Sequence, residues 1–180
     1  ASGTTFALAE TLQAFSVLVD KVTGVHEWYD GYVNRAIIHG KQGGPSGPPN
    51  WVTVAVQCFF KSYLAPGSSE AYPALTLAVT GEYAPLVMED SASAFTLVSA
   101  AREVKEFTID INNYLQPRYV NSLDPTQLCP RHRTVTLSVR APYDSGTSAL
   151  YNPALAGSAG SIALTNGATS ITFTFATLQT

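Results

Sequence analysis

The chain has 180 residues, with 10 Lys and Arg against 13 Asp and Glu, for a formal net charge of -3. Hydrophobic residues make up 46% and charged residues only 13%, about half the charged share of an ordinary soluble domain. A chain of this length buries a sufficient core by itself, so a single domain over residues 1–180 is expected, with no need of disulfide or metal staples. No apolar run approaches the roughly 20 residues of a membrane-spanning helix, so a soluble chain with no membrane partner is expected.

The predicted elements are strands. Residues two apart share one face of a strand, and this alternation runs through Phe15–Val19, Val52–Cys58, Leu75–Val79, Phe95–Leu97 and Phe107–Ile111. It is clearest late in the chain, where Val135, Leu137 and Val139 interleave with Thr134, Thr136 and Ser138, and Ile171, Phe173 and Phe175 with Thr172, Thr174 and Ala176. Apolar-in and hydroxyl-out is what a half-buried antiparallel strand requires. Gly, Pro, Asn and Ser clusters separate these segments, so the expectation is an all-β sandwich or barrel with little helix. Short stretches near 7–14, 30–38 and 86–94 read equally as helix or as edge strand.

Two long connections stand out. HGKQGGPSGPPN, His39 to Asn50, holds four Gly and predicts an exposed loop. Asp144 to Ser170 is rich in Ala, Gly, Ser and Thr with scattered Leu and Ile, and predicts a packed excursion.

Catalytic chemistry finds no foothold. The histidines are His26, His39 and His132, and no His-x-x-x-His pair occurs. Cys129 and His132 in CPRH have ligand-like spacing, but Cys58 is the only other thiol and no second short pair completes a tetrahedral site, so no metal and no cofactor are expected. Both thiols are read as free. Gly-x-Ser-x-Gly and the phosphate-binding glycine motifs are absent. Glu103 with Glu106, and Glu89 with Asp90, read as solvated charges. The chain is expected not to be an enzyme.

Basic residues are uneven: Arg118, Arg131, Arg133 and Arg140 supply four of the ten within 118–140, joined by His132. An Arg fork suits phosphate oxygens as well as carboxylates, so Arg118, Arg131, His132 and Arg133 are candidate contacts to RNA or to neighbouring subunits. Trp28, Tyr29 and Tyr32 form a candidate aromatic contact patch.

The succession WVTVAVQCFFKSY, PALTLAV, SAFTLVS, VKEFTIDIN, RTVTLSVRAPYD and SITFTFATLQ resembles the strand series of a viral jelly roll. It most resembles the small capsid protein of comovirus-like plant viruses in the picorna-like group, the secovirids. That resemblance implies one eight-stranded antiparallel jelly-roll sandwich. Its role would be structural: copies of the chain, with other capsid proteins of the same virion, would build an icosahedral, pseudo T=3 shell around genomic RNA. The virion would assemble in the host cytoplasm. It also implies that loops 39–50, 80–93 and 144–169 gather at a symmetry axis, with Lys41, Pro45, Glu82, Leu150, Tyr151 and Leu155 as contacts there. The Ala1 start and the terminal Leu178-Gln179-Thr180 are compatible with polyprotein release near a Gln. A second reading is a non-viral or phage-associated β-sandwich module that recognises carbohydrate or protein through the Trp28 platform.

Overall fold

The structure is a computed structural model that describes residues 2–4, 11–21, 24–42, 51–64, 94–97, 100–101, 104–142, 160–166 and 169–175. Among the described residues every regular element is a strand and none is a helix. In chain order they are β1 (Ser2–Thr4), β2 (Phe15–Lys21), β3 (Gly24–Lys41), β4 (Thr53–Leu64), β5 (Ala94–Leu97) and β6 (Ala100–Ala101). There follow β7 (Glu106–Asn112), β8 (Gln116–Arg118), β9 (Gln127–Cys129), β10 (Thr134–Arg140), β11 (Gly160–Asn166) and β12 (Thr169–Phe175).

The dominant element is β3, whose 18 residues span about 60 Å at the rise of a strand. From Glu27 to His39 it pairs with β4 on one side. On the other side its first half takes β2 and its second half takes β7, which in turn pairs β10. A bulge between Val33 and Arg35 and the left-handed backbone of Asp30, at φ 53°, separate the two halves. Such breaks increase local twist and re-aim a strand, so one strand serves both a four-stranded sheet, β10-β7-β3-β4, and a three-stranded ribbon, β2-β3-β4.

A second sheet runs β1-β12-β11-β5-β6, antiparallel except for β1 on β12. It packs on the four-stranded sheet. Phe107 and Ile109 of β7 and Ile162 and Leu164 of β11 are fully buried, and Ile38, Ile111, Leu137, Val139 and Phe173 close around them. Phe107 faces Gly40 directly across the strands, a partner with no side chain to compete for the space. In the ribbon, Gly31 has the same function: a Cβ there would lie against the Phe60 ring, which Phe15 holds edge-on at 5.6 Å.

The all-β, antiparallel part of the expectation stands. The eight-stranded jelly roll does not emerge from the pairing, which among the described residues runs through twelve strands in three sheets. Period-two alternation predicts that a segment is a strand but not which strand it joins. Two segments also change status. Residues 30–38 are the middle of β3, and 160–166, taken as part of a long excursion, are β11. The Pro-interrupted stretch after Asn112 carries a short hairpin, β8–β9, with Pro117 on it; proline is tolerated on such edges. Leu75–Val79 lies outside the described residues.

Candidate functional site

The four-stranded sheet has one packed face and one polar face. On the polar face, Arg35 donates from Nε to Asp110 Oδ1 at 2.9 Å and from Nη2 to Oδ2 at 2.5 Å. The Arg35 hydrogen bonds hold the Asp110 carboxyl below the usual carboxylate range, and the same contact raises the guanidinium. Two residues along, His39 Nδ1 meets Thr108 Oγ1 at 3.0 Å and its Nε2 lies 4.0 Å from Glu106. Asn34 Nδ2 donates to Gln57 Oε1 at 3.1 Å. Opposite charges thus stand side by side among hydroxyls and amides, and the face is polar with little net charge.

The Asp110 shift has a testable sign. A carboxylate whose pKa is lower folded than unfolded adds stability above the unfolded value, and loses it as pH falls through the folded one. Acid unfolding of the parent chain is therefore expected to be steeper than that of Asp110→Asn as pH drops through and below the usual carboxylate range. Unfolding midpoints measured at successive pH values check this. Equal slopes would show that the pair is not formed in solution.

Where β3 divides, Asn113 ties the parts together. It is 4% exposed. Its Nδ2 donates to Val33 O at 2.8 Å and its Oδ1 accepts from Arg133 Nε at 2.6 Å. Its backbone N–H donates to Asn34 O, and its carbonyl accepts from Arg131 N. Asn34 Oδ1 in turn accepts from Leu115 N at 2.8 Å. These bonds replace the ladder that β2 and β7 leave open between them, as buried backbone groups require.

Beside this junction lies an open hollow of about 960 Å3, lined by Tyr114, Gln116, Pro117, Arg118, Cys129, Pro130, Arg131, His132 and Thr134. Three of the four basic residues singled out in the sequence, Arg118, Arg131 and His132, meet here. Arg131 Nη2 donates to Gln116 Oε1. Arg133 turns away to Asn113. Among the described residues no carboxylate lines the hollow.

The aromatic patch is rearranged. Successive residues of a strand point to opposite faces, so Trp28 and Tyr29 part company. Trp28 instead joins His26 and Tyr63, with ring centroids 6.0 Å and 5.3 Å away. His26 Nδ1 lies 2.6 Å from Tyr63 Oη. Tyr32 sits under Lys61, whose ammonium is 5.8 Å from the ring centre and 3.4 Å from Asp30. Both thiols are unbridged, and burial pushes Cys58 up. Of the residues assigned to a symmetry axis, Lys41 ends β3 opposite Glu106; Pro45, Glu82, Leu150, Tyr151 and Leu155 lie outside the described residues. Asn113, His26 and Tyr63 escaped the sequence reading, because an isolated Asn, His or Tyr carries no periodic signal.

Comparison with known families decides between the two readings of the chain. A family model described as phage tail tube protein matches residues 39–179. The chain belongs to the phage tail tube protein family. It is therefore a structural protein of a phage virion, and the resemblance to a comovirus-like coat protein is overturned, together with the plant RNA virus and its icosahedral shell. The strand series that carried the resemblance is common to any hydroxyl-out antiparallel sandwich. The family match lends no support to a genomic RNA or to companion capsid chains as partners. The phage-associated half of the second reading is the part that holds. No curated protein matches the chain.

Proposed function

We propose that this tail tube protein polymerises with copies of itself into the tube wall, joined side to side through the two open edges of the β10-β7-β3-β4 sheet, and that it acts by assembly and not by catalysis. The observation that carries the reading is the pair of edges. Among the described residues β4 has only β3 as a partner and β10 only β7. An unpaired edge is a template for another strand, and closing a sheet on itself removes it. With four strands in strict antiparallel order, β4 and β10 run in opposite directions, so β4 of one copy meets β10 of the next antiparallel. A head-to-tail contact of this kind closes into a ring when the rotation allows.

The exposed apolar residues fall where that joint requires them. Val135, Ile111, Ala36 and Val56 form one row across the sheet, on its packed face. Its interior is covered, but Val56 at one end is 53% exposed and Val135 at the other 37%. Val54, on the same edge as Val56, is 61% exposed. Side-by-side copies bring these ends together. The polar face with Arg35, His39, Thr108 and Asp110 would then meet the water of the bore.

Purified chain is expected to form rings or tubes by negative-stain electron microscopy and to elute as a large species. Val56→Lys is expected to raise the concentration needed for assembly at least tenfold with an unchanged circular dichroism spectrum, since a buried unpaired ammonium opposes the contact. A parent chain that stays monomeric overturns the tube. Unimpaired assembly of Val56→Lys overturns this joint.

A further inference from the structure

The β8–β9 hairpin carries a second surface, separate from the sheet edges. Its connecting loop, 119–126, presents Leu123 fully exposed, with Tyr119 and Val120 more than half exposed beside it. The loop is nonetheless held in shape. Thr126 donates from its backbone N–H and from Oγ1 to Arg118 O at 2.9 Å and 3.0 Å. Asp124 N donates to Ser122 Oγ at 3.2 Å, and Asn121 takes a left-handed φ of 50°. A preshaped loop loses little conformational entropy on binding, so an apolar tip held in water has the form of a docking element.

What it fits is on the same chain. The hollow behind the hairpin offers Tyr114, Pro117 and Pro130 as apolar wall, with Arg118, Arg131 and His132 as a cationic rim. The loop is the complement, with Tyr119, Val120 and Leu123 as exposed apolar side chains and one acid, Asp124. Among the described residues the Asp124 carboxylate and the Arg118 guanidinium make no ion pair. No residue of the loop lines the hollow, so the loop does not fill the hollow of its own chain.

We propose that the 119–126 loop of one copy docks into the Arg118, Arg131 and His132 hollow of a second copy, Leu123 on the apolar wall and Asp124 on the rim. The inference rests on the tube reading and supplies it with a second, heterologous contact. Loop and hollow are different patches, so each copy offers one of each and the contact propagates from copy to copy. Charge complementarity sets its register and suppresses wrong partners.

Cys129 lines the hollow, which makes the contact testable by crosslinking. Assembled Leu123→Cys is treated with copper phenanthroline, which takes up the two electrons released as two thiols become one disulfide. A ladder of dimers and higher multimers is expected on non-reducing gels, retained in Leu123→Cys/Cys58→Ser and lost in Leu123→Cys/Cys129→Ser. In parallel, Asp124→Arg and Arg118→Asp should each raise the assembly concentration at least tenfold, and the double variant should restore it. Parent tubes with no ladder, or a disulfide confined to single chains, overturn the docking and leave the tube standing. So does unimpaired assembly of both charge variants. A parent chain that forms neither rings nor tubes overturns the tube reading, and the docking with it.

Discussion

Phe107→Ala is expected to lower the stability of the folded chain by about 3–5 kcal/mol, the range for emptying a fully buried aromatic site. Phe107 is 0% exposed and stands at the centre of the described core, between Ile162 and Leu164 of β11 and Val139 of β10. The site is poorly able to collapse. Its direct cross-strand neighbours are Gly40 and Val139, and a glycine has no side chain to move into the void. Urea unfolding of the isolated chain reads the loss. Val56→Lys, whose site is exposed in the free chain, is expected to change that stability by no more than about 0.5 kcal/mol. The two variants thus separate folding from assembly. A loss below about 1 kcal/mol for Phe107→Ala, the level of an ordinary single substitution, would place the core elsewhere.

The second large effect is expected at Asn113. Replacing it with alanine removes the donor to Val33 O and the acceptor for Arg133 Nε at a position water does not reach. Leaving buried polar groups without their partners costs about 1–3 kcal/mol each, so a total of about 2–6 kcal/mol is expected for the two groups that Asn113→Ala strips. Asn113 and Arg133 share one bond, so the double variant with Arg133→Ala should lose less than the two single losses summed, by about 0.5–3 kcal/mol. Strict additivity would mean that the pair does not act as a unit. The consequence reaches the hollow, because Asn113 O also accepts from Arg131 N. Loosening Asn113 is therefore expected to weaken copy-to-copy docking beyond its effect on stability.

How much of this was legible beforehand depends on the range of the signal. Val135, Leu137 and Val139 alternate with Thr134, Thr136 and Ser138 within one strand, and this local pattern correctly marked β10. The same reasoning located β2, β4, β5, β7 and β12. It missed β3 as one element because Asp30 steps into left-handed backbone and a bulge follows Val33, which shifts the phase of the alternation halfway along. The clustering of Arg118, Arg131 and His132 was visible as composition, and the structure brings these three into one hollow. Arg133 was grouped with them by proximity in sequence, but from the connection between β9 and β10 it donates to Asn113 instead.

The family assignment shows the limit most clearly. Hydroxyl-out alternation and Gly-rich connections determined an all-β fold, since these follow from what each strand must bury and expose. They carry nothing about pairing order, on which a closed shell and a tube differ. That β4 and β10 end as open edges among the described residues, that Val56 and Val135 close one row from opposite sides, and that Leu123 stands clear of the hollow were decided by tertiary structure alone. Each depends on residues far apart in the chain coming into register, and contacts of that kind leave no trace in local periodicity.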